Sequence, residues 1–443
     1  MTLENIRRSP LTQIVVLGAL TLALQIPILL IWGLVGERER TRSQAVSEIA
    51  DSWGREQNVV GPFLVVPYTY SVQQTDDEGK TTSRVFSSTA TFLARSLSVN
   101  GELGTETRYR GIFETQTYRG AVQLSGVYDR PELSSWIHGT EDVFWDQAEV
   151  VFEISDARAI QNAARLTWGE QDVAFEPGAG ARGAERIGVH APVTVDPEAE
   201  TISFSTTFEL NGSSAIRFAP MGRDTEVHLS ADWPDPSFQG AWLPGEREVT
   251  DSGFTATWRI PNLGRNFPQR WQGPGDEQVG MSLFGVNLIT PVDAYRQTER
   301  SLKYQILFLV LTFTTIWLFE VLSGARVHWI QYGLIGAAMC LFYLLELSLA
   351  EHLGFGFAYA IAAGAVLGLV TMYGRAVLRS AGRTATLGGV VAALYGCLYV
   401  LLRLEDYALL TGSIGLFLAL ATLMYLTRNV DWNAPRGEQS EAV

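Results

Sequence analysis

The chain has 443 residues and a formal net charge of -14, and residues 37–303 carry 38 of its 47 acidic and 24 of its 33 basic side chains, so the whole charge resides there. Such a surplus of carboxylates excludes a nucleic-acid binder, whose affinity rests on Lys and Arg neutralising phosphates, and argues for a soluble segment. The two cysteines, Cys340 and Cys397, fall outside it, so 37–303 has neither disulfides nor thiolate metal ligands.

The first element is residues 11–35, which hold no charged side chain. At 1.5 Å per residue, about 20 residues cross the hydrocarbon core, so the run is long enough to span. The apolar stretch of a cleaved signal peptide is about 7–15 residues and ends on small residues. Here it ends on Trp32, Leu34 and Val35, followed by Glu37-Arg38-Glu39-Arg40, which predicts an uncleaved anchor over 11–36 behind a tail at 1–10. Pro27 predicts a kink, which a membrane helix tolerates. Residues 37–53 then continue as a helix, with Val46, Ile49 and Trp53 at helical spacing.

Beyond Trp53 the period changes to two. Residues 85–92, 149–154, 201–210 and 253–260 alternate apolar with polar side chains and are rich in β-branched and aromatic residues, as half-buried strands are. Gly, Pro, Asn and Asp separate these runs. The expectation is a large all-β, antiparallel, sandwich-like domain over 37–303, as one sandwich or two related ones. The Gly-rich stretch 177–188 reads as a loop, since it lacks the strand–Gly–helix context of a phosphate cradle.

Five further apolar runs follow, at about 304–322, 329–350, 353–373, 384–402 and 407–426. They predict a C-terminal bundle of five transmembrane helices over 304–427 and a tail at 428–443. Gly333, Gly336, Gly364 and Gly368 are small residues of the kind that lets membrane helices approach. Basic residues in short loops set orientation. Arg375, Arg379 and Arg383, then Arg326, Arg428 and Arg436, mark one face, against Arg403 beside Glu405 and Asp406 on the other. Both termini are therefore expected in the cytoplasm and 37–303 in the periplasm. Arg38, Arg40 and Arg42, which outnumber Arg7 and Arg8 across the first span, point the other way; the repeated C-terminal loops outweigh them.

No catalytic, metal or cofactor motif stands out. Gly412-Ser413-Ile414-Gly415 is an incomplete nucleophile elbow inside an apolar run, and His138, His190, His228, His328 and His352 are dispersed. The chain is expected to be no enzyme and to need no cofactor. Polar residues at the membrane are more informative. Glu320 and Glu346 each lie about one turn inside a span, where a carboxylate costs up to roughly 3 kcal/mol on insertion scales. By this topology Glu351, His352, Arg403, Glu405 and Asp406 share the outer face. They form one electrostatic site or are ordinary loop polars in interfacial water. Arg428 and Asp431, with Trp432, read as a cytoplasmic stop with an aromatic anchor or as a functional group. Trp233, Trp242 and Trp258 suit core packing or a sugar or lipid platform.

Ordered strings also carry a resemblance. Gly61-Pro62, Arg110-Gly111-Ile112-Phe113, Ser155-Asp156-Ala157-Arg158, Trp233-Pro234 and Pro236-Ser237-Phe238 lie in the soluble segment. Ser301-Leu302-Lys303-Tyr304, Phe319-Glu320, Gln331-Tyr332, Phe342-Tyr343-Leu344-Leu345, Glu351-His352-Leu353-Gly354-Phe355, Ala408-Leu409-Leu410 and Leu426 to Trp432 lie in or beside the spans. Over nearly its whole length the chain resembles the CreD family of bacterial inner-membrane proteins. It departs at Asp235, where the family has His, and at Glu346, where an apolar residue is expected. The resemblance implies an inner-membrane protein linked to envelope integrity and stress tolerance in Gram-negative bacteria, with no known catalytic activity. The expected function is non-enzymatic, with the β-domain binding or bracing something in the periplasm. The alternative is a transporter or flippase-like handler of a lipid or small envelope molecule. The expected partners are the lipid bilayer and an envelope protein, lipid or glycan, with no nucleic acid. A cavity reaching Glu320 and Glu346 between helices favours transport, and a tightly packed bundle with an exposed apolar groove on the β-domain favours binding.

Overall fold

A computed structural model describes residues 10–75, 81–133, 137, 139–273, 279–288, 294–323, 327–404 and 407–428. The contacts divide the chain into two units, one of residues 1–42 with 292–443 and one of residues 43–291.

The first unit is helical. Helix α1 (Pro10–Ala23) and α2 (Gln25–Trp53) are one run interrupted at Leu24. Pro27 accounts for the break, because it has no N–H for the carbonyl four residues back and its ring crowds that carbonyl. Helix α3 (Ala294–Lys303) follows the β-rich unit. Then come α4 (Gln305–Ser323), α5 (Trp329–Leu353), α6 (Phe355–Leu378), α7 (Ala381–Arg403) and α8 (Ala408–Thr427). Among the described residues, the α1–α2 run and α4 to α8 give six helices long and apolar enough to cross a membrane. His328 starts α5, its ring accepting from the Ile330 amide while Gln331 Oε1 accepts from the His328 amide.

The small residues divide by role. A Cβ on Gly336 would lie 2.3 Å from Leu24 and 2.8 Å from Phe313, whereas Gly364 and Gly368 have nothing within 4 Å of such a position. Only the first of these glycines lets a neighbouring helix close in. Gly336→Val is expected to cost about 1–3 kcal/mol through overpacking, and Gly364→Val almost nothing. Melting of the two variants in detergent checks this; equal midpoints would contradict it.

In the second unit the four alternating runs are all strands. In Thr201–Ser213, for example, buried and open side chains alternate from Thr201 to Leu210. Strand β1 (Gln57–Thr75) pairs antiparallel with the first half of the 30-residue β2 (Thr81–Arg110). The second half of β2 pairs with β3 (Phe113–Asp129) in the other sheet, so β2 passes from one sheet to the next. Pairing is antiparallel except between Gln57–Val59 and Ile216–Phe218 and between β2 and Gly222–Ala231. Inner faces of the two sheets meet over Phe152 and Phe208, whose ring centroids are 5.3 Å apart.

Two features of the sequence find their place in this unit. Gly61-Pro62 sits at an irregularity where Val60 pairs with Glu153 but Phe63 with Val151. Gly61 has φ +146°, and a Cβ there would meet the Val151 carbonyl at 2.9 Å, so a bulge with glycine at its tight point is required. The Gly-rich stretch is a loop pinned by one strand. Glu149 Oε2 accepts from the Ala181 amide at 2.7 Å, and Glu153 accepts from Arg182 Nε at 2.7 Å and Arg186 Nη1 at 3.0 Å.

Candidate functional site

Helix α3 has the sequence AYRQTERSLK, yet Tyr295, Thr298, Ser301 and Leu302 are all buried. Residues three and four apart share a helix face, so α3 presents a polar stripe to its neighbours. Helix α5 meets it with two carboxyl groups. The Tyr295 hydroxyl donates to Glu351 Oε1 at 2.9 Å, and the Ser301 hydroxyl donates to Glu346 Oε2 at 3.0 Å. The pairs 295 with 351 and 301 with 346 run antiparallel, as two fasteners along one seam. Between them Thr298 Oγ1 donates to its own helix at Ala294 O.

Glu346 is fully buried, and its Oε1 has no hydrogen-bond partner among the described residues. Tyr343 on its own helix, Tyr359 on α6 and Tyr395 on α7 lie within its electrostatic reach. Phe342 gathers those three rings, at centroid distances of 4.9, 5.3 and 4.6 Å. The Tyr359 hydroxyl donates to the Tyr395 carbonyl. The result is one carboxyl enclosed by aromatic rings and hydroxyls.

The predicted outer-face residues fare differently. Glu351 also faces Arg38 Nε of α2 at 3.7 Å. Burial first, and the Glu351 hydrogen bond second, hold the Tyr295 hydroxyl above its ordinary range. Arg403 donates instead to Tyr399 on its own helix, at 3.0 Å from its nearer nitrogen. His352 is exposed and makes no hydrogen bond or ion pair among the described residues. Glu405 and Asp406 lie outside those residues. Arg300 of α3 donates to the carbonyls of Leu401, Leu402 and Leu404. A guanidinium there satisfies the orphan carbonyls at the end of α7 and suits its dipole. Glu320 accepts from the Val327 amide at 2.6 Å and so ties the turn between α4 and α5. Arg428 lies over Tyr425 at 4.0 Å; Asp431 and Trp432 are outside the described residues.

Glu351 is thus joined to Arg38 and Tyr295, and no ion pair links it to Arg403 among the described residues. A double-mutant cycle on Arg38→Ala and Glu351→Gln is expected to show coupling of about 0.5–1 kcal/mol. The cycle on His352→Ala and Arg403→Ala is expected to show additivity. Melting in detergent checks both, and the reverse pattern would contradict the pairing. Arg38, Tyr295, Arg300 and Ser301 were not among the candidate site residues, Arg38 entering only as an orientation signal and Ser301 only in a family string. The one clue to two of them is the helical spacing of Tyr295, Thr298, Ser301 and Leu302.

The β-rich unit has its own polar features. Trp53, the last residue of α2, donates its indole N–H to the Tyr118 carbonyl, and Arg108 stacks on its ring at 3.5 Å. Beside it Trp53, Glu102, Arg119, Gln161, Glu209 and Asn211 line a groove of about 460 Å³. The Ser155–Arg158 string is a clamp. Ser155 Oγ donates to the Glu56 carbonyl and accepts from the Asn58 amide, while Asp156 accepts from Arg158 at 2.9 Å and from the Arg55 amide. The Arg158 hydrogen bonds hold the Asp156 carboxyl below its ordinary value of 3.8. A depressed folded-state value gives stability that is present above the unfolded value and lost as pH falls through the folded one. Asp156→Asn is therefore expected to destabilise at neutral pH and to lose its effect below about pH 3.8; unfolding curves of both proteins across that range check it. Trp258 is buried core, with Trp242 and Trp233 half-buried around it. Among the described residues no three His, Cys, Asp or Glu are placed to hold a metal.

Six spans, a β-rich unit inserted between the first and the second, and an enclosed carboxyl in the helical unit define a multi-pass membrane protein. The family model for inner membrane protein CreD matches residues 9–433, and the chain belongs to the CreD family. It is 34% identical over 423 residues to inner membrane protein CreD of Escherichia coli, a match covering 94% of this chain and 92% of that one. Among solved structures, an M1 zinc metallopeptidase from Deinococcus radiodurans aligns over 78% of this chain and 95% of its own, at 12% identity and a TM-score of 0.22. That likeness carries no argument about fold or activity.

Proposed function

We propose that the chain is a non-enzymatic inner-membrane protein that supports envelope integrity and tolerance of envelope stress through a periplasmic β-rich unit, with the helical unit anchoring it or relaying its state. The observation that carries this reading is the open groove beside Trp53. An aromatic wall with carboxylate, guanidinium and amide groups around it suits a polar envelope component such as a glycan or a peptide. The two carboxyl groups set inside spans are enclosed by comparison, with Glu346 at 0% and Glu320 at 8% exposure. The Arg375, Arg379 and Arg383 loop supports cytoplasmic placement of the turn between α6 and α7, and hence a periplasmic β-rich unit. The relative's inner-membrane designation supports the same membrane. Arg119→Ala with Glu209→Ala is expected to impair growth under envelope stress in cells that depend on this chain. Wild-type growth at equal protein level would remove the groove from the function.

Transport of a lipid or small molecule is the second reading, favoured by the open oxygen of Glu346. Stress tolerance that survives loss of the groove but fails with Glu346→Gln would move the function to the bundle.

A further inference from the structure

The helical unit contains a buried acid that the proposed role of the β-rich unit does not use. Three hydroxyls around it are committed. Ser301 donates to Glu346 Oε2, Thr298 to the Ala294 carbonyl and Tyr359 to the Tyr395 carbonyl. Glu346 Oε1, on a fully buried side chain, has no hydrogen-bond partner among the described residues. A hard metal cation asks for about six oxygen ligands, which one free carboxyl oxygen and committed hydroxyls do not supply. Nor does a basic side chain form an ion pair with Glu346 among the described residues. The guanidinium on the helix carrying Ser301, that of Arg300, donates to the Leu401, Leu402 and Leu404 carbonyls. The titratable groups that interact with the carboxyl are Tyr343 on α5, Tyr359 on α6 and Tyr395 on α7, and none is cationic. A carboxyl enclosed among neutral groups, with one oxygen spare and no counter-cation, is neutralised by a proton.

We propose that Glu346 is a proton-binding site inside the helical unit, holding an exchangeable proton on its carboxyl. The Ser301 hydrogen bond fixes Oε2 as acceptor and leaves Oε1 to bear the proton. No bond other than O–H forms or breaks, and water supplies and takes back the proton. Glu351, five residues further along α5 and hydrogen-bonded to Tyr295, keeps part of its side chain open, at 10% exposure.

The test is infrared difference spectroscopy on the full-length protein in lipid at neutral pH, comparing light with heavy water. The wild type is expected to show the carbonyl stretch of a protonated carboxyl, shifting on exchange into heavy water. Glu346→Gln, which keeps the shape and an oxygen to accept from Ser301, is expected to lose one carboxyl's intensity from that band. Glu351→Gln and Glu320→Gln are expected to keep it. A wild-type spectrum without the band would overturn the proposal, whatever the variants do. So would a band that does not shift in heavy water, or one that survives in Glu346→Gln.

Discussion

Glu153→Ala is expected to lower the melting midpoint of the β-rich unit by roughly 10 °C. Glu153 is the common acceptor of two arginines, and one of them is buried: Arg182 has a side chain 3% exposed, with its guanidinium 3.6 Å from the centre of the Phe63 ring. Burial pulls the Arg182 guanidinium below its ordinary range, and Glu153 opposes that shift. Removing the acid takes its carboxylate acceptor from a buried guanidinium, which costs about 3–5 kcal/mol. For a unit of this size each kcal/mol moves the midpoint by about 2–4 °C. The Gly-rich loop, held by Arg182 and Arg186, should become protease-sensitive in the same variant. Adding Arg182→Met removes the stranded charge and is expected to recover most of the loss, because a buried pair replaced by apolar groups is close to neutral. A single variant that melts like wild type, or a double variant no better than the single, would contradict this account of the loop.

Trp258→Ala is expected to cost about 3–5 kcal/mol, as large-to-small changes at buried aromatics do. The ring is 1% exposed, lies 5.7 Å from Phe284 and 5.8 Å from Phe238, and donates its N–H to the Trp242 carbonyl. Alanine leaves a cavity and frees that carbonyl. Trp258→Phe keeps most of the volume and should cost less than half as much, roughly 1–2 kcal/mol. Chemical unfolding of the three proteins checks the order. Equal stability of the alanine variant would mean that the ring is not a core element and would reopen its use as a ligand platform.

The spans were legible because crossing a membrane imposes one requirement, about 20 residues without uncompensated charge, and residues 11–35 and the five later runs meet it. The strands were legible because one face of each packs inward and the other does not, which writes a period of two into Thr201–Leu210 and Gly253–Ile260. Position 346 was harder to read. An acid in an apolar run says that something compensates it, but the compensating group, Ser301, lies on another helix in a segment whose composition looks soluble. Helix α3 buries hydroxyls at helical spacing, opposite a charged face, so its pattern marks a buried stripe but not which carboxyl that stripe meets. Arg300 is likewise an ordinary surface arginine until α7 places three carbonyls before it. The family strings were legible as markers and not as roles: Gly61-Pro62 serves a bulge, Ser155–Arg158 a clamp and Glu320 a turn. Contacts between segments far apart in sequence decide each of these.

The central claim is that the β-rich unit stands in the periplasm between the first and second spans. The most direct measurement fuses a reporter enzyme that works only outside the cytoplasm after Tyr295, in intact cells, beside a matched fusion that works only inside. The account predicts an active periplasmic reporter and a silent cytoplasmic one. A silent periplasmic reporter with an active cytoplasmic one would contradict it.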